Sequence, residues 1–246
     1  IITVTKNDLP GLMATYESLV SQDCSLDCLE WIVIDAESSD GSVEFLKGLH
    51  PGFDFTYISE GDSGIFDAMN KGVDKAMGQY LLFLNAGDLL FNESVLTNVL
   101  PYLHKNSLKI VAGKVALKWE DVCVLGVDVF PWVPHQAAFI HRSCFGNRYY
   151  DDNLKFYGDL KFWMTLKDGG LFRVQRIELN ISQFFMGGAG NNPTNIFERL
   201  KERNRLSIEF KESVLKVIAR TGFFIFLYFS WKLFGSRFYY KLVMKA

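Results

Sequence analysis

The chain has 246 residues, 49% hydrophobic and 22% charged, which puts a large core within reach and excludes an intrinsically disordered protein. The formal net charge of -2 hides an asymmetry: residues from Arg199 onward carry 11 Lys/Arg against 3 Asp/Glu, whereas the first 198 carry 15 against 25. Cys24, Cys28, Cys123 and Cys144 form no CxxC pair and no secretory signal opens the chain. Reduced thiols in a cytoplasmic protein are therefore expected. His50, His104, His135 and His141 lack zinc-like spacing.

Apolar β-rich runs alternate with helical patterns through the first hundred residues, the rhythm of βα units around a mainly parallel sheet. The chain begins directly in a β-like run without an initiator Met, so a few preceding residues are expected to have been trimmed. Strands are predicted over Ile1 to Thr5, Leu29 to Asp35, Phe53 to Ile58 and Gln79 to Leu84. Helices are predicted over Pro10 to Ser21, Ser42 to Leu49, Ile65 to Met77 and Glu93 to Leu103, the first with Leu12, Tyr16, Leu19 and Val20 on one face. Shorter strands follow over Val111 to Lys118, Val122 to Phe130 and Ala137 to Ile140, with Pro131 and Pro134 as breaks. A helix over Gly158 to Lys167 stops at Gly169-Gly170, and a final strand lies near Phe172 to Ile177.

The run Gln79 to Leu84 is too short for a helix and too continuous for a half-exposed strand, so it reads as a buried parallel strand. Ligands of open α/β sheets sit beyond the carboxyl ends of strands, where Asn85-Ala86-Gly87-Asp88 falls. A carboxylate there suits Mg²⁺ or Mn²⁺ shared with substrate phosphates. The plainer alternative is that Asp88 opens a turn or caps the next helix. Asp35 ends the second strand, where a short acceptor can meet a base or ribose edge, and Ser39 or Asp40 is expected to cap the helix that follows.

Four segments taken together carry a resemblance: Thr3-Val4-Thr5-Lys6-Asn7, Val33 to Gly41, Gly64 to Gly72, and Phe83-Leu84-Asn85-Ala86-Gly87-Asp88. Their order and spacing resemble glycosyltransferase family 2, over roughly residues 1 to 190. The resemblance implies a GT-A fold, a nucleotide-diphosphate-sugar donor, a divalent cation and inversion at the anomeric carbon. It puts Thr5, Asp35 and Asp67 along the nucleoside, with Asp62 at the same edge, and Asp88 at the metal-binding end of the family's acidic motif. The chain departs from that motif at Asn85 and Gly87, which thins the metal site. Asn85 still offers a carbonyl oxygen to a cation or ribose hydroxyl.

Asp159, at the start of Gly158-Asp159-Leu160-Lys161, falls where the family carries its catalytic acid, the base that takes the acceptor hydroxyl's proton. Asp151 and Asp152 are rivals in what reads as a turn, and Asp159 as a mere helix cap is the plainer alternative. His135 and Gln136 resemble a segment bordering the donor sugar and are candidates for sugar hydroxyls or a phosphate. Phe184 to Asn191 is similar to a Gly-rich loop over the donor.

The expected organisation is a GT-A domain over 1–190, with a nucleotide-sugar half over 1–104 and an acceptor half over 105–190, followed by a helical extension over 191–246. Asn195 to Arg220 has an amphipathic helical pattern, and Gly222 to Phe234 is strongly aromatic. Arg220 and Lys232 bracket a run too short to span a bilayer, so attachment to an anionic membrane surface is expected, at the inner face of the plasma membrane. A helix completing the core or a dimer contact is the alternative; no nucleic-acid-binding module accompanies the basic segment, and oligomeric state is left open. The expected activity is transfer of a sugar to a hydroxyl of a lipid-linked glycan in bacterial surface polysaccharide assembly. The alternatives are transfer to a polyprenyl phosphate, and a nucleotide-sugar-binding protein without catalysis, the latter motivated by Asn85 and Gly87.

Overall fold

In the computed structural model, which describes residues 1–104, 109–120, 122–127, 132–146, 149–188 and 190–244, three parallel strands open the sheet. They are β1 (Ile2–Thr5), β2 (Glu30–Asp35) and β3 (Asp54–Ser59), with Thr5 beside Asp35 and Asp35 beside Ser59. Along β2, Ile32 and Ile34 face one core while Trp31 and Val33 face the other. A strand covered on both sides is apolar at every position, which explains its unbroken hydrophobic run.

The run after residue 79 returns along the other edge of β1. Its regular ladder is short, β4 (Tyr80–Leu81), yet the backbone keeps company with β1 beyond it. Ile2 N–H donates to Leu82 O at 2.9 Å, Leu84 N–H to Ile2 O at 3.0 Å and Ala86 N–H to Val4 O at 3.1 Å. Asn85 therefore emerges at the same end as Thr5 and Asp35. The remaining strands are β5 (Leu89–Leu90), β6 (Ile110–Trp119), β7 (Val122–Val127), β8 (Ala138–His141) and β9 (Val174–Phe185), in the order β4-β8-β6-β9-β5 with β7 on β6. β6 runs parallel to β9, and the other pairs of this part are antiparallel. The last strand is longer than its pattern predicts and takes in Phe184 and Phe185. Residues 128–130 of the strand expected over Val122 to Phe130, with Pro131 and Ala189, lie outside the described residues.

Helices α1 (Leu9–Val20), α2 (Ser42–Gly48), α3 (Ile65–Lys75), α4 (Val95–Leu103) and α5 (Gly158–Asp168) flank the sheet. In α1 the inward stripe is Leu12, Thr15 and Leu19, and Val20, expected inside, is exposed. A turn of 3.6 residues carries Leu12 onto Thr15 and Leu19 and rotates Val20 away.

The extension is α6 (Ile196–Glu209) and α7 (Val214–Val243), not one amphipathic helix through Arg220. Between them Glu212 binds Arg203 at 2.9 Å and Arg220 at 3.1 Å. Burial pushes the Glu212 carboxyl up, but donors from Arg203, Ser207 and Arg220 outweigh it and hold the group down at about 2. Helical geometry in α7 is interrupted at Gly235, whose φ of 78° favours glycine. Tyr239, Tyr240 and Met244 then pack with Met186, Ile196 and Leu227 in a third cluster, where Trp119 stacks on Tyr240 at 4.8 Å. By length and composition α7 is long and apolar enough to cross a membrane, which corrects the expectation that the aromatic run is too short. Counting only the gap between Arg220 and Lys232 ignored the apolar turns on either side of them.

Candidate active site

The carboxyl ends of β1, β2 and the strand-like run before Asn85 bring together polar side chains that ordinary packing does not pair. Asp35 is fully buried; its Oδ2 accepts from Ser59 Oγ at 2.6 Å and from Ser38 N–H at 3.0 Å, while Oδ1 has no partner. Thr5 Oγ1 and Asn85 Oδ1 are likewise buried and unpartnered. Buried polar atoms are almost always hydrogen-bonded, so three such acceptors at one end of a sheet mark a place built for a ligand. Asp40 accepts from Ser42 N–H at 3.1 Å and from Leu9 N–H at 2.7 Å, but the residue at the cap of α2 is Gly41, not Ser39 or Asp40 as expected.

Asn85 to Asp88 form a tight turn closed by Asp88 N–H to Asn85 O at 2.9 Å. Gly87 has φ +88°, a conformation that explains glycine at the position where an acid was looked for. Thr15 holds the turn from α1: its hydroxyl lies 2.9 Å from Asp88 O and accepts from Gly87 N–H at 3.1 Å. Sequence reasoning passed over Thr15 because a Thr in a helix reads as surface; its place on the Leu12–Leu19 stripe was the available signal.

Asp88 is 4% exposed. Burial pushes its carboxyl well above the usual carboxylate range, and donors from the Phe185 backbone and the Gln136 side chain pull the other way. Among the described residues no cluster of three or more His, Cys, Asp or Glu surrounds it. A buried carboxylate and an orphaned amide oxygen nevertheless suit a hard cation that draws its other ligands from phosphate and water.

Asp67 and Asp62 are engaged locally. Asp67 Oδ2 accepts from Ser63 N–H at 3.0 Å and lies 3.4 Å from Lys71 Nζ, and its carboxyl is held low by the Ser63 backbone and, against some burial, by Lys71. Asp62 Oδ1 accepts from Gly64 N–H at 3.0 Å. Both shape the loop that enters α3.

The 3-10 turn His135–Ala137 links two parts of the site. Gln136 reaches Asp88, and His135 Nδ1 lies 3.0 Å from Asp159 Oδ2 in the first turn of α5. Asp159 Oδ1 accepts from Leu160 N–H at 2.7 Å, while His135 Nε2 is buried without a partner. Tyr150, passed over as a turn residue, is buried beside them with its hydroxyl unpartnered; burial, then the Asp159 charge, push its phenol well above the ordinary range. Of the rivals, Asp151 is spent on Lys161 at 2.9 Å, and Asp152 is exposed at a turn. The Gly-rich segment meets the site where Phe185 touches Asp88 and meets the extension where Met186 joins the third cluster.

Comparison with known proteins speaks to the family and the fold. The model of the family described as Glycosyl transferase family 2 matches residues 1–121. An uncharacterized glycosyltransferase of Mycobacterium tuberculosis (strain ATCC 25618 / H37Rv) is 39% identical over 158 residues, which are 58% of this chain and 58% of that protein. The structure is similar to that of S. aureus TarS 1–349 in complex with UDP-GlcNAc, with a TM-score of 0.69 at 13% identity over 89% of this chain and 68% of that one. It is also similar to the mannosyltransferase PcManGT from Pyrobaculum calidifontis in complex with GDP-Man and Mn²⁺, with a TM-score of 0.64 at 17% identity over 82% and 60%. At such identities these likenesses establish a GT-A type of α/β fold. Residues 1–121 thus belong to glycosyltransferase family 2, and nearly the whole length of the chain carries the fold.

Proposed function

We propose that this protein is an inverting glycosyltransferase that moves a sugar from a nucleotide diphosphate to a hydroxyl of a lipid-linked glycan in bacterial surface polysaccharide assembly. The observation that carries the reading is the set of buried, unpartnered acceptors Thr5 Oγ1, Asp35 Oδ1 and Asn85 Oδ1 at one end of the sheet, together with Asp88 and the His135–Asp159 pair, which the turn His135–Ala137 links through Gln136. Thr5 and Asp35 hold the nucleoside, with Asp62 and Asp67 shaping its edge. Asp88, with Asn85, holds a divalent cation, Mg²⁺ or Mn²⁺; when bound, it offsets the charge of the diphosphate. Gln136 steadies Asp88, and His135 borders the donor sugar.

Asp159 accepts the proton of the acceptor hydroxyl as that oxygen bonds to the anomeric carbon. The bond from that carbon to the diphosphate oxygen breaks with its electron pair, and the nucleoside diphosphate leaves from the opposite face, which inverts the centre. A phosphate acceptor would need no such base, so the His135–Asp159 pair favours a hydroxyl.

The extension supplies the membrane side of the reading. Leu215, Ile218, Phe226, Phe229 and Leu233 are exposed and recur every three or four residues, or twice that across Gly222, along one stripe of α7. Lys216 and Lys232 flank the stripe at helical spacing. A neighbouring face packs on the protein through Leu227 and Ser230, which favours a helix lying in the interface, on the inner face of the plasma membrane.

A panel of UDP-, GDP- and dTDP-sugars assayed with Mg²⁺ or Mn²⁺ and glycan or polyprenyl-phosphate acceptors tests the proposal. Transfer to a hydroxyl with inverted configuration is the expected result. Unchanged turnover in both Asp159→Asn and Asp88→Ala would remove the residue assignments, and donor binding without transfer to any acceptor would leave a binding protein.

A further inference from the structure

Glu202 lies in α6, beyond the family-matched residues, yet its carboxylate reaches back to the segment that launches α5. It accepts three consecutive backbone N–H groups: Lys155 at 2.9 Å, Phe156 at 2.9 Å and Tyr157 at 2.7 Å. Tyr157 is the residue before α5, and its side chain makes no capping bond. Two residues later comes Asp159, whose Oδ2 must sit 3.0 Å from His135 while Oδ1 holds the Leu160 amide. Where α5 begins thus decides where that carboxylate points.

An anion suits this task better than a neutral group. Two carboxylate oxygens take three N–H donors through charge-assisted bonds, which are stronger than neutral ones, whereas a glutamine would turn an NH₂ towards one of them. The surrounding contacts hold the same joint. Arg199, one turn before Glu202, bonds the Tyr157 hydroxyl and reaches Tyr239 Oη at 3.3 Å. Lys161 in α5 binds Glu209 in α6 at 2.9 Å, and Leu206 enters the main core beside Phe162 and Trp163.

We propose that Glu202 is a positioning residue for Asp159: by gripping the amides of Lys155 to Tyr157 it sets the start of α5, so that α6 completes the acceptor side of the crevice. The role rests on the transfer reading for its effect on rate and on geometry alone for its effect on the Leu160 amide. Glu202→Ala lowers kcat by roughly 10- to 100-fold, the scale expected when a reacting group is misplaced by about 1 Å, with donor affinity by calorimetry within about twofold of wild type. Glu202→Gln, whose amide oxygen can keep the two bonds to Phe156 and Tyr157 but not the one to Lys155, recovers part of the rate. In an Asp159→Asn background, Glu202→Ala costs less than about threefold more, because both changes remove the same function. Amide exchange at Leu160, measured under conditions where Glu202→Ala stays folded by its thermal transition, becomes about tenfold faster in Glu202→Ala and rises less in Glu202→Gln. Losses that multiply with Asp159→Asn, or a fall in donor affinity that matches the fall in rate, overturn the proposal. So does unchanged Leu160 exchange in Glu202→Ala, and this last result counts even if wild type transfers to no acceptor, an outcome that would count only against the transfer reading.

Discussion

At the carboxyl ends of β1 and β2, polar atoms are buried and under-partnered; on α7, apolar side chains are exposed and uncovered. Each departs from the ordinary arrangement in the opposite sense, and each departure specifies what is missing. Buried acceptors call for a small polar ligand with donors of its own, such as the hydroxyls and base of a nucleotide. An apolar stripe edged by lysines would be covered by the anionic membrane surface proposed above. Between the two stands α6, which grips the α5 launch segment through Glu202 and packs on α7 through contacts such as Phe197 with Tyr228 at 4.7 Å. The lipid-linked acceptor proposed above would bring both needs to one molecule: a sugar hydroxyl for the crevice and a lipid for the stripe.

The sharpest way to break the polar half of this comparison is Asp159→Asn. A kcat lower by about 10²- to 10⁴-fold in the donor-panel assay, with donor binding intact, is the expected result for loss of a general base. Asp88→Ala has the next largest effect. It weakens donor binding in the presence of Mg²⁺ or Mn²⁺ by about tenfold or more and abolishes most of the dependence of binding on cation, as read by calorimetry with and without a chelator. Retained cation dependence in that variant would move the metal site elsewhere.

The apolar half is tested with liposomes. Replacing Phe226 and Phe229 by Ser weakens sedimentation with anionic vesicles by about tenfold or more, on the scale of burying one or two large side chains, and added salt weakens wild type in the same direction. The smallest effect concerns the elbow between α6 and α7. Glu212 is held at about 2 when folded against an ordinary 4.5, so it contributes stability that is present above pH 4.5 and lost as pH falls towards about 2. Glu212→Gln therefore unfolds more easily than wild type at pH 7, by about 1–3 kcal/mol in denaturant titration, and the two converge across that acid window.

Much of this was legible in the residues. The run Ile32 to Ile34 is apolar on both faces because helices cover both, and that pattern announces a buried strand with Asp35 at its tip. Asn85 and Asp88 at a strand end followed from local backbone rules in the same way, whereas the cap expected of Ser39 or Asp40 falls to Gly41. Other features were read wrongly or passed over for identifiable reasons. Gly87 looked like a missing acid until its positive φ showed a turn that needs glycine. The length of α7 was underestimated because two cations were treated as boundaries, although a helix carries them on long stems at its surface.

Hydropathy period, turn chemistry and capping are properties of neighbouring residues, and they were enough to determine the α/β order, the strand tips and the basic, aromatic character of the extension. The pairing of His135 with Asp159 across 24 residues, and the grip of Glu202 on amides 45 to 47 residues away, were decided only in three dimensions. Such contacts depend on how β8, α5 and α6 pack against one another, and no local preference of the chain encodes the distance between two side chains brought together by separate elements.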